Sequence, residues 1–437
     1  MKTRVLYVLH NHPAIFPGGA EMYALELFEE LRRSGEIEPV LVARADLAQA
    51  RERGLYAGAT FKTVEGDPQQ YFMFTDFEAF DPILGTSAAK SLYTQEFAGF
   101  LRAQDPAVVH FQHTHMIGYD VLTVARQVLP QAPILYTLHE YLPICLREGQ
   151  MIRTEERNNE LCTHASPRRC NECYPWMSPD RFFLRERFIK SHLANVDLFL
   201  SPSRFLRERY IAWGIPPERI RFEELGRGSA HAAPAEPDVE RPRMRLGFFG
   251  QLTPFKGAET LLEAMRLLAD RRPDVHLHLH GAYVEYFAET YGREFLERVG
   301  EMGANVTYAG AYEHAELPRL MREVDWVVMP SRWWENSPLV VQEAFMHGRP
   351  VICSGIGGMA EKVTDEVNGL HFHVGDPQSL AATIERAVSE PGLWERLRAG
   401  IPPVYTVEQH AAALTALYGE LVEQRRDQPL AAAPAPL

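Results

Sequence analysis

Two glutamates in the second half of the sequence stand at a spacing that could hold a polyhydroxylated ligand. Residues 330–358 read PSRWWENSPLVVQEAFMHGRPVICSGIGG, with Glu335 in a predicted loop and Glu343 eight residues later in a predicted helix. A carboxylate accepts hydrogen bonds from hydroxyl groups, so Glu335 could bind a sugar while Glu343 binds a ribose. On spacing alone, two glutamates on a solvated surface are the commoner explanation.

The start of that helix is suited to phosphate. Asn336 and Ser337 lead into it, and we predict that it begins near Ser337 with Pro338 in its first turn, where a missing N–H costs no hydrogen bond. The free amides around Leu339 and Val340, together with the positive end of the helix dipole, would form a site for a diphosphate.

Two further loops could line the same ligand. Residues 247–257 read GFFGQLTPFKG, in which a predicted strand ends at Gly250 and is followed by Gln251 and Lys256. A lysine in such a loop can neutralise phosphate oxygens, and glycines allow close backbone approach. Residues 354–359 form a second glycine-rich turn at a strand end. Three strand-end loops converging on one place are a stronger signal than one.

The first half offers a glycine pair and several histidines. Gly18 and Gly19 could bring backbone amides close to a phosphate or a reacting sugar, although Pro-Gly-Gly also simply makes turns. His113 and His115 follow one predicted strand, and His139 follows another. Each of these histidines could equally be a packed or surface residue.

Four of the five cysteines fall in one short region. They are Cys145, Cys162, Cys170 and Cys173, and the last two are spaced as Cys-x-x-Cys. Four thiolates suit a tetrahedral zinc ion, which would be structural because four protein ligands leave no open position. His164 could replace one ligand, and reduced thiols without metal are the open alternative.

The elements that must position these residues alternate along the chain. Short apolar runs interleaved with helical patterns are typical of parallel sheets covered by helices, in which ligands bind beyond the carboxyl ends of the strands. Helices are predicted at 20–33 and 260–270. Strands are predicted at 5–10, 39–43, 108–112, 134–139, 198–201, 246–250, 276–281, 306–309, 326–329, 351–354 and 370–374.

We therefore predict an α/β protein of two Rossmann-like, doubly wound parallel-sheet domains that face each other across a cleft, with a C-terminal helix. The predicted segments are a first domain at 1–228 with a cysteine-rich insertion at about 143–180, a linker at 229–243, a second domain at 244–402, the helix at 403–426 and a disordered tail at 427–437.

Charge and hydropathy narrow the partners. The net charge of −13 argues against a nucleic-acid binder. No apolar run reaches the roughly eighteen residues of a spanning helix, and Met1 leads directly into a strand, so we expect a cytoplasmic protein without a signal peptide. A basic, aromatic segment could make a peripheral contact with the inner membrane face, although an ordinary solvated helix explains it too. That segment contains Arg181, Phe182, Phe183, Arg185, Arg187, Phe188, Lys190, Arg204, Arg207 and Arg209.

The second half resembles the nucleotide-sugar domain of the family 4 glycosyltransferases, retaining enzymes of the GT-B fold. The similarity covers most of residues 245–400. Its elements are the pair Glu335 and Glu343 followed by Ala344 and Gly348, the loop with Lys256, and the turn Gly357-Gly358.

This resemblance implies a role for each matching residue. Lys256 and the amides of Leu339 and Val340 would bind the donor diphosphate, Glu335 the sugar hydroxyls and Glu343 the ribose. Gly18 and Gly19 match the glycine pair of the family's first domain. His139, in the segment TLHEY, matches the family's histidine that faces the transferred sugar. Gln251 departs from the pattern, because the family usually has an arginine there that contacts phosphate.

The resemblance implies a retaining, metal-independent sugar transfer in cell-surface glycan or glycolipid synthesis. The donor would be a nucleotide-diphosphate sugar, the acceptor a glycan, a glycolipid or a small hydroxylated molecule, and no cofactor would take part. A departing diphosphate oxygen would help to deprotonate the acceptor hydroxyl, so no dedicated nucleophile is expected. The alternatives are a phosphorylase or hydrolase of similar fold and a non-catalytic sugar- or lipid-binding scaffold.

Overall fold

Alternating strands and helices build two units in the computed structural model. The structure describes residues 2–15, 18–56, 58–76, 78–154, 159–228, 242–282 and 289–427. The first unit comprises Met1–Gly226 with Tyr405–Leu437, and the second comprises Arg227–Val404.

The main sheet of the first unit is almost entirely parallel. Its strands run in the order β10-β9-β8-β7-β1-β2-β4-β3, and only the edge strand β3 is antiparallel to its neighbour. The strands are β1 (Thr3–Leu9), β2 (Ile37–Asp46), β3 (Phe61–Val64), β4 (Asp67–Thr75), β7 (Val108–Phe111), β8 (Ile134–Thr137), β9 (Leu198–Ser201) and β10 (Ile220–Phe222), while β5 (Phe80–Asp81) and β6 (Thr86–Ser87) form a separate small hairpin.

Helices connect these strands in the first unit. They are α1 (Gly19–Ser34), α2 (Leu47–Glu52), α3 (Ala98–Gln104), α4 (Asp120–Val128), α5 (Pro167–Cys173), α6 (Pro179–Leu193) and α7 (Arg204–Trp213), and a π-helical turn at Leu92–Phe97 precedes α3. The order β4-β2-β1-β7-β8-β9 within the sheet is that of a doubly wound dinucleotide-binding fold, with its switch point between β1 and β7.

The second unit has the same plan. Its six-stranded sheet is parallel throughout in the order β13-β12-β11-β14-β15-β16, so the switch point lies between β11 and β14. The strands are β11 (Arg245–Phe249), β12 (His276–His280), β13 (Val306–Gly310), β14 (Trp326–Met329), β15 (Val351–Ser354) and β16 (Gly369–Phe372). The helices are α8 (Ala258–Leu268), α9 (Glu289–Glu301), α10 (Leu317–Glu323), α11 (Leu339–Met346), α12 (Gly357–Lys362), α13 (Pro377–Ser389) and α14 (Leu393–Ala399).

Both faces of this second sheet are buried, as parallel sheets require. Along β14, Trp326 and Val328 pack into one apolar cluster with α8 and α13, whereas Val327 and Met329 pack into another with α10 and α11. Successive side chains of a strand point to opposite faces, so a continuous apolar run is needed to cover both.

The terminal helix α15 (Val407–Asp427) belongs to the first unit. Tyr418 Oη lies 2.6 Å from Tyr7 Oη and 2.7 Å from His110 Nδ1, and His410 Nε2 lies 2.6 Å from Tyr23 Oη. These buried contacts attach α15 to β1, α1 and β7. The sequence predicted a helix at 403–426 but gave no sign that it returns to the first unit.

The predicted strands correspond to strands in the structure, with boundaries shifted by a few residues. The antiparallel edge strand β3 and the strands β4 and β10 were missed, as was the small hairpin. The predicted linker lies largely at 229–241 and most of the predicted tail at 428–437, both outside the described residues.

Candidate functional site

Lys256 and Glu335 meet at the switch point of the second unit. Lys256 Nζ lies 2.7 Å from Glu335 Oε1, although the two residues are 79 positions apart. Lys256 follows β11 and Glu335 follows β14. These two strands are neighbours in the sheet, so the loops that follow them lie side by side. The two residues that the sequence analysis selected from separate loops therefore form one ion pair.

Glu335 is held firmly through one of its oxygens. Oε1 also accepts hydrogen bonds from Ser331 Oγ at 2.7 Å and Trp333 Nε1 at 2.9 Å, and the residue is only 5% exposed. No group in the described part of the chain donates to Oε2. This leaves Oε2 as an acceptor for a ligand hydroxyl, in a position that Oε1 fixes.

Glycines allow the backbones of three strand-end loops to approach one another closely. A Cβ on Gly257 would overlap the carbonyl oxygen of Pro330, and one on Gly358 would overlap that of Asn336. Arg332 N donates to Phe255 O at 2.8 Å, and Gly358 N donates to Glu335 O at 2.8 Å. The loops after β11, β14 and β15 thus converge, as the sequence predicted.

Helix α11 starts slightly later than predicted. It begins at Leu339 with Pro338 as the N-cap residue, whereas the prediction placed its start near Ser337. The amides of Leu339 and Val340 occupy its first turn, where no intrahelical acceptor exists. Ser337 Oγ, just before this turn, is buried and has no hydrogen-bond partner within the described residues. A buried hydroxyl without a partner costs free energy that a bound ligand could recover.

Glu343 is paired with an arginine that the sequence analysis missed. Arg227 donates to Glu343 Oε1 from Nε at 3.1 Å and from Nη2 at 2.7 Å, and it also contacts the ring of His314. Arg227 is 3% exposed and Glu343 is 5% exposed. Burial, followed by the charge of Glu343, raises the pKa of Tyr312 above its usual value. The carboxylate of Glu343, which was expected to accept a hydrogen bond from a ribose hydroxyl, therefore belongs to a buried ion pair with Arg227.

A weak signal for Arg227 was present in the sequence. It stands between Gly226 and Gly228 at the end of the predicted first domain, where a single arginine interrupts a glycine-rich passage. Its partner is 116 positions away, so only the fold could show the pairing.

Gly18 and Gly19 mark the start of α1. Gly18 is the N-cap residue, and a Cβ there would overlap Glu21 Oε2. Glu21 is 3% exposed, and its Oε1 lies 2.8 Å from His10 Nε2. A side chain at Gly18 would therefore have to displace the buried Glu21 carboxylate. This His10–Glu21 pair was not predicted, because its members lie on either side of the loop.

His139 is close to other imidazoles in the first unit. Its Nε2–H donates to Gln112 Oε1 at 3.0 Å, and its ring lies 5.6 Å from that of Tyr23. Burial, and then the neighbouring His113 and His10, lower the pKa of His139 well below its usual value. His139 is therefore neutral at physiological pH and can act as a hydrogen-bonding group without carrying charge.

The other two candidate histidines differ from His139. His113 Nε2 lies 3.0 Å from Glu140 Oε1, while its Nδ1 accepts from the His115 amide at 2.9 Å. Burial, reinforced by neighbouring His113 and His10, lowers the pKa of His115 to about 3. His115 lines a cavity of about 740 Å³ in the first unit, which includes His10 and Asn11 as well.

The predicted zinc site is not supported. Across the described ranges, no group of three or more His, Cys, Asp or Glu side chains is arranged to hold a metal ion, although all four cysteines are described. Burial raises the pKa of Cys145 to about 11 and of Cys170 to about 12. Cys162 Sγ donates to His164 O at 3.1 Å instead.

Two family models match this chain. The model described as glycosyl transferase 4-like domain matches residues 18–226, and the model described as glycosyl transferases group 1 matches residues 243–390. These two matches together cover most of the chain and place it in the glycosyl transferase family. Its two units carry the two matched domains.

Curated relatives agree with this assignment. This glycosyltransferase is 30% identical over 213 residues to D-inositol 3-phosphate glycosyltransferase of Jonesia denitrificans, which is 44% of the chain and 49% of that protein. A protein of the same description from Frankia alni is 24% identical over 412 residues, or 90% of the chain and 92% of that protein. The chain spans about half or less of the length of most curated relatives it matches.

Solved structures share the fold. Anabaena Alr3699/HepE in complex with UDP and glucose has a TM-score of 0.60 at 18% identity, covering 97% of this chain and 98% of that one. Sucrose-phosphate synthase of Thermosynechococcus elongatus has a TM-score of 0.69 at 20% identity, covering 97% and 100%. The glycosyltransferase therefore has the GT-B fold of two Rossmann-like domains.

Proposed function

We propose that this glycosyltransferase moves a sugar from a nucleotide-diphosphate sugar to an acceptor hydroxyl with retention of the anomeric configuration. The observation that carries the proposal is the Lys256–Glu335 pair beside the start of α11, at the switch point where doubly wound sheets bind ligands. The UDP and glucose bound by the similar Anabaena protein are consistent with such a donor.

Each group near this point has a proposed part in donor binding. Lys256 and the first-turn amides of Leu339 and Val340 bind the diphosphate, because a cation and a helix N-terminus both favour anions. Glu335 accepts hydrogen bonds from the transferred sugar through Oε2. Glu343 accepts one from the ribose, with Arg227 compensating the buried negative charge.

Catalysis then depends on stabilising the negative charge of the leaving diphosphate. As the bond to the anomeric carbon breaks, negative charge grows on the diphosphate, and Lys256 with the helix amides stabilises it without a divalent metal. The departing oxygen takes the proton of the acceptor hydroxyl on the same face of the sugar. Neutral His139 and the backbone at Gly18 and Gly19 are proposed to contact the reacting sugar.

A donor screen followed by two substitutions tests this function. Thermal unfolding with UDP-, GDP-, ADP- and dTDP-sugars identifies the donor, because a ligand that binds the folded state raises the melting temperature. Lys256→Ala and Glu335→Gln should abolish transfer while the protein stays folded. The matched control Glu301→Ala removes an exposed carboxylate elsewhere in the second unit and should keep full activity. Full turnover in either site variant would contradict the proposal.

The same assay separates the alternatives. Donor cleavage by water or inorganic phosphate that outpaces transfer would indicate a hydrolase or phosphorylase. Donor binding without turnover across a broad acceptor panel would indicate a binding scaffold.

A peripheral membrane contact is proposed at α6, which would suit a glycan or glycolipid acceptor at the inner membrane face. Trp176, Phe183 and Leu184, here called the α6 patch, are 67%, 53% and 59% exposed. The exposed Arg181 and Arg187 stand beside it, whereas Phe182 is buried. No described helix is long and apolar enough to cross a bilayer. Apolar side chains flanked by arginines suit the surface of an anionic membrane.

Vesicle sedimentation tests this contact. The protein should sediment with phosphatidylglycerol vesicles more than with phosphatidylcholine vesicles, and Phe183→Ser with Leu184→Ser should abolish the difference. Leu296→Ser, at another exposed apolar side chain (43%), is the control and should change nothing. Equal sedimentation with both lipids would contradict a charge-assisted contact.

A further inference from the structure

The cavity of the first unit lies where this fold binds ligands. Its volume is about 740 Å³, enough for a small sugar or cyclitol. It is lined by residues at or just after the carboxyl ends of β1, β2, β4 and β7, and β1 and β7 are the two strands of the switch point. None of its lining residues belongs to the donor site proposed above.

The lining is polar and carries both signs of charge. Two guanidinium groups, Arg44 and Arg51, stand against three carboxylates, Asp46, Asp76 and Glu78. The remaining polar side chains are Asn11, Gln49, His10 and His115. Groups that donate and accept hydrogen bonds at several points suit a ligand with many hydroxyls.

Arg44 is already committed to the protein. It is 5% exposed, and it donates from Nε to Thr75 Oγ1 at 2.7 Å, from Nη1 to Asn11 Oδ1 at 3.2 Å, and from Nη2 to Asp46 Oδ2 at 2.9 Å. Asp46 also caps α2 by accepting from two amides of its first turn. The charges of Arg44 and Asp46 therefore compensate each other.

The uncompensated charge in the lining is negative. The exposed carboxylates of Asp76 and Glu78 remain, against the single guanidinium of Arg51, which stacks over the Tyr56 ring at 5.3 Å. The imidazoles add no positive charge at neutral pH, because burial lowers the pKa of both His10 and His115. A phosphate monoester carries close to two negative charges at that pH and would be repelled.

We propose that this cavity binds the acceptor and that it selects an uncharged polyhydroxylated molecule over its phosphate ester. The selection sets this chain apart from the D-inositol 3-phosphate glycosyltransferases it resembles. That the bound molecule is the sugar acceptor rests on the proposed function, whereas the cavity's preference for uncharged polyols does not.

Direct binding without donor tests the selection. Saturation-transfer NMR and calorimetry compare myo-inositol with D-inositol 3-phosphate, and methyl glycosides with sugar 6-phosphates. At least one uncharged polyol should bind roughly tenfold more tightly than its phosphate ester. The double variant Asp76→Asn/Glu78→Gln should narrow this preference, while Glu65→Gln, an exposed carboxylate outside the cavity, should leave it unchanged.

Filling the cavity tests its location. Ala48 is exposed and lines the cavity, so Ala48→Trp should remove polyol binding without unfolding the protein, whereas Ala48→Ser should retain it. Stabilisation by the donor should be the same in both variants. If donor stabilisation is missing in the unmodified protein, the proposed function fails independently. Binding of phosphate esters alone, of neither class, or of polyols by Ala48→Trp would overturn the inference.

Discussion

At the scale of single residues, each buried carboxylate of the candidate site is paired with a cation. Arg227 with Glu343 and Lys256 with Glu335 each pair a carboxylate that is almost inaccessible to water with a cation. Each carboxylate uses one oxygen for its cation and leaves the other oxygen without a partner among the residues described. An oxygen held in this way is positioned before the ligand arrives, which reduces the entropy lost on binding.

Removing Arg227 should destabilise the second unit. Arg227→Met leaves Glu343 buried without compensation, which costs about 3–5 kcal/mol when a buried pair is broken. The double variant Arg227→Met/Glu343→Gln should recover much of that loss, because no buried charge remains. Denaturant unfolding measures the free energy of unfolding of the single and the double variant. Equal values for the two variants would show that the charges of Arg227 and Glu343 are not coupled.

Restoring the cation at Gln251 should strengthen donor binding. Gln251→Arg adds a charge-assisted phosphate contact, and such bonds contribute about 1.5–3 kcal/mol, or roughly tenfold and more in affinity. Calorimetry with the donor identified by thermal screening measures the change, with the uncharged Gln251→Met as control. Unchanged affinity in Gln251→Arg would mean that the phosphate does not approach this residue.

At the scale of elements, the site depends on how closely three loops approach. Strand order at the switch point decides which loops are neighbours, and glycines at Gly257 and Gly358 let them touch. Much of this was predictable: Lys256 and Glu335 follow apolar runs, and parallel strands end at one edge. Arg227 and the His10–Glu21 pair were not, because their partners come from elements that no local pattern connects. The strand β4 was missed for a related reason, since its first half, DPQQ, is polar while its pairing with β2 is what makes it a strand.

A methyl group at Gly358 should disrupt the loop arrangement. In Gly358→Ala the new Cβ would overlap the backbone at Asn336, which cannot move aside as a flexible side chain could. We expect a fall in kcat/KM of at least about tenfold and a loss of about 1–3 kcal/mol in stability. Gly300→Ala in α9 is the control, because nothing lies within 4 Å of its Cβ and alanine favours helix. A fully active Gly358→Ala variant would contradict the close approach.

At the scale of the whole molecule, buried histidines concentrate in the first unit. Burial lowers the pKa of His10, His12, His110, His115 and His139 below the usual 6.5. In the unfolded chain these groups take up protons near pH 6.5, whereas in the folded unit they do so only at lower pH. Their contribution to stability is therefore complete above pH 6.5 and declines as the pH falls.

Acid should accordingly weaken the first unit. We expect the free energy of unfolding to fall between pH 7.5 and pH 5, measured by denaturant titration with a probe in that unit. The variant His115→Gln should show a shallower decline, because it removes one group that is neutral when folded and charged when unfolded. A stability that stays constant over this interval would contradict the burial of these imidazoles.

The return of α15 to the first unit bears on how the protein is made. The ribosome synthesises residues 227–404 before it reaches His410 and Tyr418. Those two residues form hydrogen bonds with Tyr23 and Tyr7 of the first unit. The unit that emerges first is thus the last to be completed, because Tyr7 and Tyr23 gain these partners only after the second unit has been made. A message truncated shortly after codon 404 would yield a finished second unit joined to an incomplete first one.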